Sequence, residues 1–215
     1  MTVDLKRYQH QLHKLVALPS VSCAVPQWDM SNQAVIDQLA NDFSALGFNT
    51  RILPLAQQGK VNLIATLGQG DGGLVLAGHS DTVPYDADRW QSDPFTLTEK
   101  DGRLYGLGAT DMKGFFPVIM AAVQPYLGRQ LKHPLIVLAT ADEESSMSGA
   151  RALARDGLGG QRRGLQEAQG LGEEPVELEV RRGIGGVIIA GHGGDTGQRG
   201  FAIGQERRPQ QQVLR

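Results

Sequence analysis

Cysteine is nearly absent: Cys23 is the only one in 215 residues, which excludes an internal disulfide framework. Long apolar runs are missing as well. The longest, Phe115 to Val123 and Leu135 to Ala141, fall well short of the ~20 residues needed to span a bilayer, so no membrane partner is expected. Asp4, Lys6 and Arg7 stand where a signal peptide needs its apolar stretch, and a cytoplasmic location is expected. Positive charge is not in excess either. Lys and Arg number 21 against 23 Asp and Glu, a formal net charge of -2 that gives no basic footprint for nucleic acid and points to a small-molecule partner.

These scarcities are unevenly spread. Residues 156–215 hold 15 of the 28 glycines, none of the lysines and eight arginines, with Phe201 as their one aromatic residue. So few core-forming side chains cannot offset the ordering entropy of a Gly-rich chain, and a largely irregular tail is expected. Val187 to Ala190 is its one short apolar run, a candidate for an isolated strand. The expected division is therefore 1–155, part of a catalytic domain, and 156–215, a divergent Gly/Arg-rich segment. Lysine vanishing as glycine and arginine surge is what an out-of-frame reading of a GC-rich gene would look like; a genuine divergent tail is the alternative.

The first 155 residues alternate helix and strand signals in the manner of an α/β domain. Leu5, Tyr8, Leu12 and Leu15 recur at helical spacing between Asp4 and Leu18, and Pro19 closes the run. A second helix starts at the cap candidate Ser31, carries Val35, Leu39, Phe43 and Leu46 on one face, and stops at Gly47. Strands are expected at Phe48 to Leu53, Val61 to Leu67, Leu74 to Ala77 and Leu135 to Thr140, the last two nearly continuous apolar runs, as in strands buried on both faces. A helix from Met112 to about Leu127 carries Pro117 early, where proline is tolerated.

Three polar clusters lie just past strand ends or at a helix mouth, where open α/β sheets place ligand sites. In Gly78-His79-Ser80-Asp81-Thr82-Val83-Pro84, residues i and i+2 of an extended segment share a side. His79 can then ligate a metal through one ring nitrogen while Asp81 fixes the other; a turn with an exposed histidine is the competing reading. Tyr105 to Gly114 is a glycine-rich approach to Asp111, which is either a metal ligand or, with Thr110, an N-cap. Asp142-Glu143-Glu144 puts three carboxylates together at the mouth of a strand, so something positive should offset their repulsion. Consecutive acids are usually a solvated loop, yet two neighbouring glutamates can also divide into a metal ligand and a general base.

Taken jointly, the clusters resemble the dinuclear-zinc aminoacylase and carboxypeptidase family, and within it the acetylornithine deacetylase branch. The resemblance runs from about Leu5 to Arg155. It includes Ala17 to Ser22, His79 to Pro84, Trp90 with Asp93 to Glu99, Asp111 to Gly114, and Ala139 to Glu144. It implies an α/β fold, a zinc-aminopeptidase-like sandwich with a mostly parallel central sheet flanked by helices. By similarity His79 would bind one zinc, Asp111 would bridge two, and Glu144 would bind the second, with cobalt a plausible substitute. Asp81 would brace His79, and Glu143 would take a proton from the attacking water. The implied reaction is hydrolysis of the amide of an N-acyl amino acid, N2-acetyl-L-ornithine to L-ornithine and acetate in arginine biosynthesis; a desuccinylase or dipeptidase would carry the same clusters.

The family pattern also calls for a later glutamate, a histidine far along the chain, and an inserted smaller domain that pairs two subunits into a homodimer. Gly172-Glu173-Glu174-Pro175 only faintly resembles the glutamate segment, and His192 is the one histidine in the tail; neither is assigned as a ligand. The sheet is accordingly expected to be incomplete on its C-terminal side. With His79, Asp111 and Glu144 alone, each zinc has two protein ligands against the usual three or four, so a non-catalytic remnant is the alternative to an enzyme.

Overall fold

In a computed structural model of the chain, residues 4–156 are described in full, and beyond them only the backbone of 179–183, 186–190 and 213–214. Helix α1, Leu5–Val16, begins where Asp4 accepts a hydrogen bond from the Arg7 backbone N–H at 3.2 Å, and its last turn carries His13 and Lys14, which suit the negative end of the helix dipole. Helix α2, Gln33–Ala45, buries Val35, Ile36, Leu39, Ala40 and Phe43. Ser31 caps it from two residues upstream, accepting from the Gln33 N–H at 3.1 Å while donating to the Gly59 carbonyl at 2.6 Å. Gly47 ends it at φ +86, a left-handed conformation that a Cβ would disfavour.

Strands β1, Asn49–Pro54, β2, Val61–Leu67, β3, Leu74–His79, and a later strand, Leu135–Thr140, form one sheet in the spatial order β1, β2, Leu135–Thr140, β3. Between β3 and that later strand come a small antiparallel hairpin, β4 (Thr98–Lys100) with β5 (Arg103–Tyr105), and helix α3, Phe115–Val123; Leu135–Thr140 is thus β6. Helix α4, Ser148–Asp156, follows it. The expected α/β sandwich is present, but strand direction differs in detail from a mostly parallel sheet. β3 and β6 are parallel, whereas β1 with β2 and β2 with β6 are antiparallel. The physical reason lies in the connections: a short loop joins β1 to β2 and can only reverse the chain, while β3 reaches β6 through a crossover containing α3.

Alternation along the central strands feeds two cores. Val61, Leu63 and Ala65 of β2 and Val137 and Ala139 of β6 pack with α2, α3 and Leu15 of α1. Ile64, Ile136 and Leu138 point the other way and meet Leu153 of α4. Ile36, Leu39 and Phe43 of α2 are fully buried, and truncating any one of them to alanine would leave a cavity and cost ~2–5 kcal/mol.

Helix α3 starts three residues later than the sequence suggested, because Asp111 to Gly114 stays in turns, and Pro117 sits in its first turn without breaking it. In the tail, the expected strand at Val187 to Ala190 falls within β8, Gly186–Ala190, which pairs antiparallel with β7, Glu179–Gly183, rather than standing alone. Gly172 to Pro175 and His192 lie outside the described residues. Among the described residues no helix is long and apolar enough to cross a membrane.

Candidate metal centre

Because β3 and β6 are parallel and adjacent, their C-terminal ends open on the same side, with His79 in register with Thr140. The Ser80 N–H continues the ladder to the Thr140 carbonyl at 2.9 Å. Beneath this mouth lies a buried polar lattice: Ser20 donates to the Ser80 carbonyl, Ser80 Oγ to the Thr140 carbonyl, and Asn32 to Ser80 Oγ and the Val61 carbonyl, all at 2.7–2.9 Å. Such fully paired networks fix positions more sharply than apolar packing does. Gly78 permits the close approach of the third element. A Cβ there would fall 2.7 Å from Phe115 Cδ1 and 2.9 Å from Met112 Cε, displacing the segment that carries Asp111.

His79 is 1% exposed, and its two nitrogens have different tasks. Nδ1 lies 3.0 Å from the Asp81 backbone carbonyl, which fixes a proton there and leaves Nε2 for other chemistry. Nε2 lies 3.1 Å from Asp111 Oδ1 and 4.0 Å from Glu143 Oε2. The Asp81 carboxylate stands 3.7 Å from Nδ1 and accepts the Glu144 N–H through Oδ2 at 3.0 Å. The brace on the ring is thus made first by the Asp81 carbonyl oxygen, while its side chain ties the two strand ends together. The Asp111–Met112 peptide is cis.

All five residues singled out from the sequence, His79, Asp81, Asp111, Glu143 and Glu144, converge here. His79, Glu143 and Glu144 each offer a ligand atom within 4.8 Å of the others, and Asp111 reaches the same nitrogen of His79. Neither the exposed turn nor the solvated acidic loop describes them: His79 and Asp81 are buried, and Glu143 and Glu144 are half-buried.

The electrostatics favour a cation. Burial opposes charging the His79 imidazole, but the hydrogen bond to Asp111 and the negative charges of Asp81, Asp111 and Glu144 outweigh it and raise the pKa to about 9. Glu144 is pushed up to about 7 by burial, with Asp111, Glu143 and Asp81 adding to the shift against the pull of His79. Asp111 is held low, chiefly by its hydrogen bond to His79. Among the described residues, buried Asp81 Oδ1, Glu144 Oε1 and Thr110 Oγ1 have no hydrogen-bond partner. Orphaned buried oxygens cost free energy unless something positive or hydrogen-bonding meets them. An imidazole with carboxylates, at C-terminal strand ends, is a donor set that suits zinc or a similar borderline divalent ion.

Sequence reasoning missed three groups. Lys113 is fully buried and donates to the Leu18 carbonyl, holding the Asp111 turn against the Ala17 to Ser22 segment. Lys60, 2% exposed, pairs with Asp142 and Asp29. Ser22 and Ser148 donate to Asp142. A lysine at a strand start or turn reads as solvated, and only the demand for a charge to balance the acidic run hinted at Lys60.

Acetylornithine deacetylase of Proteus mirabilis (strain HI4320) is 53% identical over 155 residues, covering 72% of this chain and 40% of the relative. The Pasteurella multocida (strain Pm70) protein of the same name is 55% identical over 138 residues, covering 64% of this chain and 36% of the relative. The chain therefore spans about two fifths of the length of these curated relatives. Among solved structures, human carnosine dipeptidase 1 superposes with a TM-score of 0.61 at 27% identity, over 71% of this chain and 36% of that one. The family metallo-carboxypeptidase Sso-CP2 from Sulfolobus solfataricus has a TM-score of 0.53 at 20% identity over 64% and 31%, a likeness of fold. The family model described as peptidase family M20/M25/M40 matches residues 75–204, more than half of the chain and all three polar clusters, and the chain belongs to that family.

Proposed function

We propose that the chain carries the metal-binding and proton-transfer half of a hydrolase that cleaves the amide bond of an N-acyl amino acid, with N2-acetyl-L-ornithine as the first substrate to test. The carrying observation is the Glu143 carboxylate 4.0 Å from His79 Nε2, alongside Glu144 and Asp111. The names of the relatives from Proteus mirabilis and Pasteurella multocida support acetylornithine as substrate. The product, ornithine, would serve arginine biosynthesis.

His79, Asp111 and Glu144 would hold divalent metal, zinc or cobalt, with Asp111 shared if two ions bind. Such a pair, when bound, polarises the scissile carbonyl and eases deprotonation of water. Glu143, half-buried beside His79, takes a proton from the attacking water and returns it to the leaving nitrogen as the C–N bond breaks. Acetate and a free α-amino group result. Asp81 keeps the Nδ1 proton of His79 in place, so Nε2 faces the ligand cluster. Residues 1–155 would form this catalytic portion, and 156–215 a separate segment.

One observation favours a second reading. Among the described residues the site offers a single histidine and a few carboxylates, enough to hold one ion and short of a full set for two. The chain would then bind one divalent ion without turnover. Acetate release from N-acetylornithine by the zinc-supplemented chain, with Glu143→Gln beside it and a dipeptide as alternative substrate, separates the readings. Turnover that falls about 10²- to 10⁴-fold in the variant supports the hydrolase. No turnover from wild type, with zinc bound, supports the second reading.

A further inference from the structure

Asp142 begins the acidic run, yet its carboxylate is spent elsewhere. It is 2% exposed, and both oxygens are taken: Oδ1 by Lys60 Nζ at 2.8 Å and Ser22 Oγ at 3.0 Å, Oδ2 by Ser148 Oγ at 2.8 Å. Its backbone carbonyl accepts from the N–H groups of Ser145 and Met147, closing a turn directly behind Glu143 and Glu144. Its φ of +59 is left-handed, a conformation aspartate tolerates better than most residues and one that swings the chain sharply at the end of β6.

Lys60 is the other half of the clamp. It stands one residue before β2, and its ammonium also reaches Asp29 Oδ1 at 2.7 Å and the Met30 carbonyl at 2.8 Å. One buried cation therefore joins the central strand β2, the 22–30 loop and the turn that presents the two glutamates. The same loop meets the His79 side, since the Ser22 N–H donates to the Thr82 carbonyl at 2.9 Å and the Thr82 N–H to the Ser20 carbonyl at 3.0 Å.

We infer that Asp142, clamped by Lys60, is a positioning residue: it fixes the left-handed turn that sets the Glu143 and Glu144 carboxylates against His79 and touches neither metal nor substrate. The acidic run thus divides its labour, with the first carboxylate anchoring the backbone that the next two depend on. Buried carboxylate and ammonium fixed by several hydrogen bonds suit this task because each alternative geometry leaves a charge unpaired. This inference rests on the proposed role of Glu144 as a ligand.

The test uses the full chain with Asp142→Asn, Lys60→Met and the milder Ser148→Ala, which removes only one donor. Leu39→Val serves as a control that lowers the melting temperature without touching the turn. Two readouts are taken: hydrogen exchange of the Glu144 amide relative to core amides of β6 in the metal-free chain, and cobalt(II) titration followed by its visible spectrum. The inference predicts that Asp142→Asn and Lys60→Met speed Glu144 exchange beyond that of the β6 amides, alter the cobalt spectrum and weaken cobalt binding about 10- to 100-fold. Ser148→Ala shifts the same readouts by less, and Leu39→Val leaves them alone. Glu144 exchange that tracks the β6 amides in Ser148→Ala and in whichever clamp variant folds, with unchanged cobalt affinity and spectrum, overturns it. A wild-type chain that binds no cobalt overturns the metal reading instead, and the exchange comparison still decides the positioning role.

Discussion

The backbone N–H of Glu144 donates to Asp81 Oδ2 at 3.0 Å, joining residues 63 positions apart and tying the end of β6 to the end of β3. Through that bond the carboxylate two residues from the histidine holds the glutamate pair. Asp81 itself is 1% exposed, so losing this partner would leave a buried carboxylate oxygen less well satisfied, which is costly.

Asp81→Ala removes this acceptor and the negative charge beside His79 Nδ1. Zinc affinity, measured by competition with a chromogenic chelator, should fall about 10- to 100-fold. An unchanged affinity would show that the Asp81 backbone carbonyl alone orients the ring.

Gly149 lies in the first turn of α4, where the Asn62 side chain bridges it to β6 by donating to the Gly149 carbonyl at 2.9 Å and accepting from the Ala141 N–H at 3.0 Å. An added Cβ would fall 2.4 Å from Asn62 Oδ1, 2.5 Å from Ala141 N and 2.7 Å from its oxygen. Backbone atoms cannot step aside cheaply. Gly149→Ala should cost ~1–3 kcal/mol and lower the melting temperature by several degrees. A melting curve superimposable on wild type would mean that α4 can slide away from β6.

Tyr8 packs against the small core of Leu12, Val16 and Leu104, and burial pushes its phenol up to about 12 from 10.0. The unfolded chain loses that proton near pH 10, while the folded chain keeps it until about 12. The folded state therefore binds more protons in that interval, and its stability must fall as pH rises from 10 through 12. Tyr8→Phe removes this contribution, so urea midpoints of the variant should decline less steeply than those of wild type between pH 10 and about 12. Parallel declines would place the alkaline sensitivity on other groups, such as Lys60, whose pairing with Asp142 and Asp29 overcomes its burial and raises its pKa in the same sense.

Much of this architecture was legible in the chain. Val61–Leu67 and Leu135–Thr140 are strands at the expected bounds, because apolar β-branched runs buried on both faces leave little choice. Strand direction was not legible, since side-chain periodicity is the same in parallel and antiparallel neighbours. Helix α4 escaped notice because Gly149 lies in its first turn, charged residues recur along it, and only Gly149, Ala150 and Leu153 are buried. The candidate site was read more fully, as His79, Asp81, Asp111, Glu143 and Glu144 come from three separate segments that one sheet edge gathers. What escaped was the support beneath them. Lys60 precedes a strand and Lys113 precedes a helix, positions where lysine ordinarily meets water, and nothing local announces that each is buried against a carboxylate or a carbonyl.

Equilibrium dialysis of the purified chain against zinc, with metal analysis, decides whether His79 and Glu144 hold a divalent ion. At least one zinc per chain should be retained against dilution and lost in both His79→Ala and Glu144→Gln, with Leu39→Val binding as wild type does. A chain that holds no zinc, or holds it equally well without His79 and Glu144, would contradict that role.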